Sequence, residues 1–415
     1  MTSVIARRLT IALLIAAQPL HAQPGVPVVL RAARVFDGTG RTLTNTDITV
    51  QDGRITALRP STGALPANGI DLGQRTVLPG LIDTHVHIGW YVNSANRLHT
   101  ATDGDSPATQ AFSQAGNAWA TLRAGFTTVQ SIGEEDNGTL RDAINRGTIP
   151  GPRVLTSLGS MSERSAGGSP DSLRAVVRRF KTAGADVIKI FASKSIRDGG
   201  EATMTDAQLS AACGESTALG LRSVVHAHSA DAVQRAARNG CTQVEHGVFA
   251  DEPTRALLVR NGTFFDPQCG LVFHNYLDNK PRFEGLGNYN AVGFASMEKA
   301  IPLAEAGIGF ASRTPTLKLV FGTDAVAGAH GRNAEELVCR VRRGGQPAAD
   351  ALVSATSRAA ESLRMDREIG RIAVGYQADI IATDGDPVAE IEATQRVVFV
   401  MRNGIVYRND GARRR

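Results

Sequence analysis

The feature that most constrains the fold is a regular alternation, in the middle of the chain, of short apolar runs with helical patterns. Strands that alternate with helices form parallel sheets covered by helices. Eight such units predict an α/β fold, namely a (β/α)₈ barrel of the TIM type. The predicted strands are 81–83, 127–129, 154–155, 187–190, 224–225, the neighbourhood of Val244, 263–265 and 319–321, and the helical patterns include 172–183, 206–219, 231–238 and 350–363.

The two ends of the chain predict a different, all-β unit. Asp52-Gly53 and Asn403-Gly404 each lie between β-type runs, and these dipeptides are the strongest short hairpin signals. Because hairpins at opposite ends of a chain can pair in space, we expect one small β-sandwich domain formed from both chain ends. The expected domains are the sandwich residues 23–79, the barrel residues 80–363 and the sandwich residues 364–415.

Residues 1–22 have the pattern of a cleavable signal peptide. Arg7 and Arg8 precede an apolar stretch that is too short to span a bilayer, and the segment closes on the small residue Ala22. We therefore expect a periplasmic or secreted protein. The arginine pair fits either an ordinary positive n-region or the twin-arginine route, which exports folded proteins.

Composition narrows the classes of partner. The net charge is +5, but no basic run is interleaved with aromatic residues, so we expect no nucleic-acid partner. No other apolar stretch reaches about 18 residues, so we expect no membrane partner after signal cleavage. The four cysteines are too few for a disulfide scaffold and lack CxxC spacing, so we expect small buried residues or unpaired thiols. They are Cys213, Cys241, Cys269 and Cys339.

Reactive side chains follow the predicted strands at their C-terminal ends, which is where a (β/α)₈ barrel carries its chemistry. Two histidine pairs have i, i+2 spacing, so both imidazoles of a pair point to the same side of an extended strand. A lysine inside an apolar strand is costly unless another group neutralises it. Each residue alone has an ordinary structural explanation, but their convergence predicts a single metal site. They are His85 and His87, Lys189, His226 and His228, His246, and Asp324.

On these residues and their order, the mature chain resembles the metal-dependent amidohydrolases. The block from Leu78 to His87, read LPGLIDTHVH, is the most recognisable motif. The resemblance is strongest to the imidazolonepropionase-related branch, which includes prolidase-like dipeptidases and hydrolases that cut the amide of ochratoxin. The later blocks are Lys189-Ile190-Phe191-Ala192-Ser193, Val225-His226-Ala227-His228, Glu245-His246-Gly247 and Gly322-Thr323-Asp324-Ala325.

The resemblance implies a role for each of these residues. His85, His87 and Asp324 would hold one divalent ion, and His226 and His246 a second. Lys189, carboxylated by CO₂ to a carbamate, would bridge the two ions, and Asp324 would move the proton of the attacking water to the leaving amine. Imidazole and carboxylate ligands suit Zn²⁺, with Mn²⁺ or Co²⁺ as substitutes, and a water shared by two such ions becomes a hydroxide nucleophile near neutral pH.

Residues near these ligands are candidates for substrate binding. His228 is expected to face the substrate because the branch places its ligand at His226, and His330 follows the eighth strand. The loop after the third strand, residues 157–169, carries no histidine, unlike that of some relatives. The connection 268–302 is long, which is usual for functional loops. Its Tyr276 and Arg282, together with Arg197 after the fourth strand, are candidates, and Lys194 and Lys280 are further candidates for binding a substrate carboxylate.

The sequence therefore predicts a binuclear hydrolase that cleaves a C–N amide bond in a small molecule, such as a dipeptide or an N-acyl amino acid, including ochratoxin-like amides. Two alternatives remain open at this point. One is a hydrolase of cyclic amides, such as imidazolones or lactams, or of lactones. The other is a barrel that binds metal without catalysis, although a buried lysine among histidines has no purpose there. A homo-oligomer is compatible with the sequence.

Overall fold

The computed structural model describes residues 25–410 and the backbone of Arg413–Arg414. The predicted signal peptide, residues 1–22, lies outside the described residues. Within them, no helix is both long and apolar enough to cross a membrane.

The described chain is of the α/β class, with mixed sheets. The strands are β1 Val28–Phe36, β2 Thr42–Gln51, β3 Arg54–Pro60, β4 Ile70–Asp71, β5 Thr76–Pro79, β6 Leu81–Val86, β7 Phe126–Ser131, β8 Arg153–Thr156, β9 Val187–Phe191, β10 Arg222–Ala227, β11 Gln243–His246, β12 Phe264–Asp266, β13 Ile380–Thr383, β14 Val397–Arg402, β15 Ile405–Asn409 and β16 Arg413–Arg414. The α-helices are α1 Pro107–Arg123, α2 Asn137–Asn145, α3 Pro170–Thr182, α4 Asp206–Ala218, α5 Ala230–Arg238, α6 Glu252–Asn261, α7 Leu271–Asp278, α8 Lys280–Phe283, α9 Ala291–Ser312, α10 Ala334–Arg342, α11 Ala348–Ser354 and α12 Ser357–Ser362. Short 3₁₀ turns span Ser165–Gly167, Ile196–Asp198 and Ile391–Gln395.

Strands from both chain ends form one nine-stranded sheet. Its main order is β15-β14-β13-β5-β1-β2-β3, so the antiparallel pairing of β5 with β13 joins the N-terminal strands to the C-terminal strands. Both predicted hairpins are confirmed, and Asp52-Gly53 and Asn403-Gly404 all have positive φ, as the tight hairpin turn requires. Apolar side chains of both ends pack into one cluster around Leu30 and Phe399.

Seven of the predicted central strands are present and form two parallel sheets, β6-β7-β8 and β9-β10-β11-β12. Parallel bridges join the two sheets on both sides. Met161 pairs with Ile190 on one side, and on the other the segment 317–326 contacts β12 through Leu319 and β6 through Ala325. The carboxyl ends of the parallel strands therefore face one another across a common mouth.

The prediction of an eighth strand at 319–321 is wrong, because this segment forms only isolated bridges. Its backbone groups bond to several partners in turn. The N–H of Phe321 donates to the carbonyl of Ser354, and the carbonyl of Phe321 accepts from Thr84. Asp324 has a φ of 53°, far from the value of about −120° of regular parallel strands. The segment therefore fills the eighth position without a regular ladder.

Three predicted helices are confirmed within two residues of their ends, as α3, α4 and α5. Their boundaries follow from N-capping by Ser169, Thr205 and Ser229, whose side chains accept backbone N–H bonds. The single helix predicted at 350–363 is wrong, because Thr356 leaves the helical conformation and separates α11 from α12. The connection 268–302 is helical, since it holds α7, α8 and the first half of α9.

Burial of Cys213, Cys241 and Cys269 is confirmed, but the expectation of unpaired thiols is wrong. Cys213 and Cys241 form one disulfide, and Cys269 and Cys339 form another. The first pair is 28 residues apart and the second 70, so neither pairing follows a local motif. Tertiary packing brings the two cysteines of each pair together, and the spacing in the sequence does not reveal this packing.

Candidate active site

A cavity lies at the carboxyl ends of the parallel strands. Its volume is about 690 Å³, which includes the open space at its mouth. It brings together all seven reactive residues predicted from the strand ends, with Arg197 and Tyr276. The other lining residues are Trp90, Phe191, Ser195, Ile196, Val272, Phe273, Tyr289 and Val326. Val272, Phe273 and Tyr289 belong to the long connection 268–302, and Phe191 ends β9. None of these eight residues was singled out for the site from the sequence, because a side chain that only lines a cavity has no motif of its own.

The first half of the site joins β6 to the segment after residue 321. Asp324 Oδ1 lies 3.0 Å from His87 Nε2 and 3.3 Å from His85 Nε2. Burial opposes ionisation of Asp324, but His85, His87 and Lys189 hold its pKa well below the usual range. Burial lowers the pKa of His85 to about 3, so this imidazole is neutral and has a lone pair to offer.

The second half of the site is a cluster of three histidines from β10 and β11. One ring nitrogen from each of His226, His228 and His246 lies within 4.8 Å of the others. The rings of His228 and His246 are stacked, with centroids 4.7 Å apart. Burial is the main reason that the pKa of each histidine is lowered, and for His228 it falls to about 3. The cluster therefore presents neutral imidazoles, the form that binds metal.

Lys189 lies between the two halves. It is 1% exposed, and its Nζ is 3.4 Å from His85 Nε2. Within the described part of the chain no carboxylate forms an ion pair with it, and burial lowers its pKa. A buried amine without a counter-ion beside four imidazoles is costly, so its position requires a chemical reason.

Carboxylates behind the histidines were missed in the sequence. Glu245 Oε2 lies 2.8 Å from His85 Nδ1, and Glu134 Oε1 lies 2.7 Å from His87 Nδ1. Burial lowers the pKa of His87, but Glu134 and Asp324 outweigh this effect and raise it to about 9. Such carboxylates orient a histidine so that its other nitrogen faces a metal. Glu245 adjoins His246 in the chain, so its position beside a predicted ligand was a usable signal.

These donor groups fit divalent cations. Two overlapping sets, His85 with His246 and Asp324, and His226 with His228 and His246, place their ligand atoms within 4.8 Å of one another. The buried Nδ1 of His228 has no hydrogen-bond partner in residues 25–410, so this nitrogen is still available to a partner. Neutral imidazoles, an ionised carboxylate and carboxylates behind them are the donor chemistry of a metal centre.

Arg197 is the cation that lines the cavity. Its guanidinium stacks 4.0 Å from the ring centroid of Tyr289 and 5.6 Å from that of Tyr276, and Nε donates to Asn288 Oδ1 at 2.6 Å. Lys194 is paired with Glu201, and Lys280 with Glu298, both away from the cavity.

Two other predicted residues also lie outside the lining. Arg282 lies beside Gly328. His330 Nε2 donates to the carbonyl of Trp90, so it contacts the back of a lining residue. Their roles in substrate binding stay predictions.

Comparison with known proteins agrees with this geometry. A family model described as "Amidohydrolase family" matches residues 76–406. An ochratoxinase of Aspergillus niger is 24% identical over 431 aligned residues, which cover 92% of this chain and 87% of that protein. A solved Xaa-Pro dipeptidase with methionine bound in its active site is 26% identical with a TM-score of 0.82, covering 92% of this chain and 100% of the other. The solved A. niger ochratoxinase is 22% identical with a TM-score of 0.77, covering 94% and 98%.

Proposed function

The chain belongs to the amidohydrolase family and is a hydrolase of carbon–nitrogen amide bonds, and from this premise we propose that it is an exported, binuclear enzyme that cleaves dipeptides or N-acyl amino acids. The observation that carries the proposal is the buried Lys189 between His85 and the cluster of three histidines. We infer further that β6 to β12 and the segment 317–326 close into a (β/α)₈ barrel, which the parallel bridges on both sides support.

Two divalent ions, expected to be Zn²⁺ with Mn²⁺ or Co²⁺ as substitutes, would supply water activation and carbonyl polarisation when bound. His85, His87 and Asp324 would hold one ion, and His226 and His246 the other. The amine of Lys189 would form an N–C bond with CO₂ and release a proton, which turns it into an anionic ligand for both ions. This modification would replace the buried ammonium by an anion, which the two divalent ions would neutralise, so it accounts for a lysine whose pKa burial lowers.

Different residues of the chain would transfer the proton, orient the histidines and exclude water from the substrate. Asp324 is ionised and faces the mouth, so it is placed to take a proton from the attacking water and pass it to the leaving amine. Glu134 and Glu245 fix the orientation of His87 and His85. The aromatic lining excludes water from the amide once substrate fills the cavity.

Arg197 supports a substrate that ends in a carboxylate. Its Nε is held by Asn288, while the two terminal nitrogens have no ion-pair partner among residues 25–410. A guanidinium fork binds a carboxylate bidentately. The names of the relatives agree with such a substrate, since Xaa-Pro dipeptides and ochratoxin each contain an amide bond to an amino acid.

Export has two independent supports. Residues 1–22 have signal-peptide composition. The pairs Cys213–Cys241 and Cys269–Cys339 are disulfide-bonded, and such bonds persist mainly in oxidising compartments such as the periplasm.

A hydrolysis screen tests the proposal. Metal-loaded enzyme is offered dipeptides, N-acyl amino acids, cyclic amides and lactones, with Asp324→Asn as the inactive control. We expect turnover of linear amides that carry a free carboxylate. Turnover confined to cyclic amides or lactones, or no turnover with full metal occupancy, would contradict it.

A further inference from the structure

A chain of buried charges connects the metal-ligand side of the cavity to the helix that forms its substrate wall. Arg340, on α10, is 0% exposed and does not touch the cavity. Its Nη2 lies 2.9 Å from Asp266 Oδ1 and its Nε 3.3 Å from Glu336 Oε1. Removing one partner from such a buried ion pair leaves an uncompensated buried charge, so the positions of Arg340, Asp266 and Glu336 are coupled.

On one side this chain reaches the ligands. Asp266 lies against Glu245, which binds His85 Nδ1 at 2.8 Å. Arg340 also donates to the carbonyls of Pro267 and Val320, at 2.7 and 2.8 Å. Val320 begins the turn that leads to Asp324. Arg340 therefore holds the supports of two metal-ligand segments.

On the other side it reaches the wall of the cavity. The Glu336 carboxylate accepts the backbone N–H groups of Cys269, Gly270 and Leu271, the last two at 3.0 and 3.1 Å. These residues precede and begin α7, whose cap residue, a glycine, offers no side chain to those N–H groups. The cavity-facing residues of α7 are Val272, Phe273 and Tyr276.

From this connection, and resting on the proposed function, we propose that Arg340 and Glu336 are positioning residues. Glu336 sets the distance between the metal-ligand side and the α7 wall, which is the cavity surface formed by α7. Arg340 holds Glu336 in place relative to Asp266. The wall then selects the apolar side chain of the substrate, while the ligand half remains unchanged. The Cys269–Cys339 disulfide keeps the start of α7 attached to α10 in either variant, so removing the carboxylate charge at Glu336 reorients the α7 wall without releasing it. Replacing the guanidinium of Arg340 disturbs both the wall and the metal-ligand side.

The test compares Glu336→Gln and Arg340→Lys with Arg342→Lys and Glu392→Gln. Arg342 lies on the same helix and forms an ion pair with Glu392, but it is 53% exposed and distant from the cavity. For each variant we would measure KM and kcat on an apolar dipeptide, Zn²⁺ affinity by chelator competition, and the melting temperature.

Glu336→Gln is expected to raise KM about tenfold, with smaller loss of kcat and unchanged Zn²⁺ affinity. Arg340→Lys is expected to raise KM and also to lower Zn²⁺ affinity by about tenfold or more, as for other losses behind metal ligands. The two control variants should match the wild type.

A purely structural role gives another pattern: lower melting temperature and lower kcat with unchanged KM and Zn²⁺ affinity. That result, or no difference from the controls, would overturn the inference. If Arg340→Lys fails to fold, Glu336→Gln alone decides. If the wild type cleaves no linear amide at all, the proposed function fails, whereas the Zn²⁺ affinity of Arg340→Lys still tests the link to the ligands.

Discussion

Replacing Lys189 by methionine should have opposite effects on stability without and with metal. The side chain is 1% exposed and its Nζ has His85 Nε2 at 3.4 Å as its polar neighbour. Burying a polar group that is poorly paired costs about 1–3 kcal/mol. Methionine has a similar length and no such group. Metal-free Lys189→Met should therefore be more stable than the wild type by about 1–3 kcal/mol, or a few degrees in melting temperature.

With metal the order should reverse. A ligand at one hundred times its dissociation constant adds about 2.7 kcal/mol to the stability of the protein that binds it. Methionine cannot be carboxylated and cannot bridge two ions, so Lys189→Met should gain much less. The wild type should then be the more stable protein.

The assay is thermal unfolding in chelator and in Zn²⁺ with bicarbonate. Lys189→Arg serves as a second variant, because guanidinium keeps its charge and does not react with CO₂. It should be inactive and should show no gain from bicarbonate. Equal stabilisation of the wild type and Lys189→Met by metal, or near-normal turnover in Lys189→Arg, would refute the reasoning.

Three further predictions concern the same cavity. Elemental analysis should find about two divalent ions per chain, and chelation should abolish activity; activity without bound metal would exclude the mechanism. His226→Ala should lose metal, whereas His228→Ala should keep most of it and lose turnover or substrate affinity; the opposite pattern in metal content would make His228 the ligand. Arg197→Ala should raise KM for a dipeptide about tenfold or more but leave its C-terminal amide unaffected. Arg342→Ala, at an exposed arginine outside the cavity lining, is the control, and an equal effect of Arg197→Ala on both substrates would contradict its role in carboxylate binding.

The convergence of the seven predicted residues on one cavity was predictable because most of them lie at the ends of strands. The i, i+2 spacing of His85 with His87 and of His226 with His228 gives two imidazoles on one side of a strand. Parallel strands then bring all carboxyl ends to one mouth. The cavity lining agrees with each of these predicted positions.

The supporting residues were not predictable in the same way. Glu134, Glu245 and Asp266 are also near strand ends, but a carboxylate there is equally common as a helix cap or a surface charge. Their role depends on which histidine nitrogen they face, and this is a tertiary fact. The disulfides are hidden for the same reason, since Cys269 and Cys339 meet only when α7 packs on α10.

The wrong prediction of a regular eighth strand and the position of Asp324 in the cavity have one physical cause. Asp324 adopts a φ of 53°, which costs a non-glycine residue about 1 kcal/mol and ends extended structure. The N–H of Asp324 donates to the carbonyl of His85 at 2.8 Å, and that of His87 donates to Ala325, so the turn is fastened to β6 at two points. This turn places the carboxylate between His85 and His87, where a straight strand would continue past them. His246 also has a positive φ, of 69°, at the end of β11. The positive φ at Asp324 and at His246 therefore directs these two side chains into the cavity, and sequence periodicity, which describes regular structure, cannot report it.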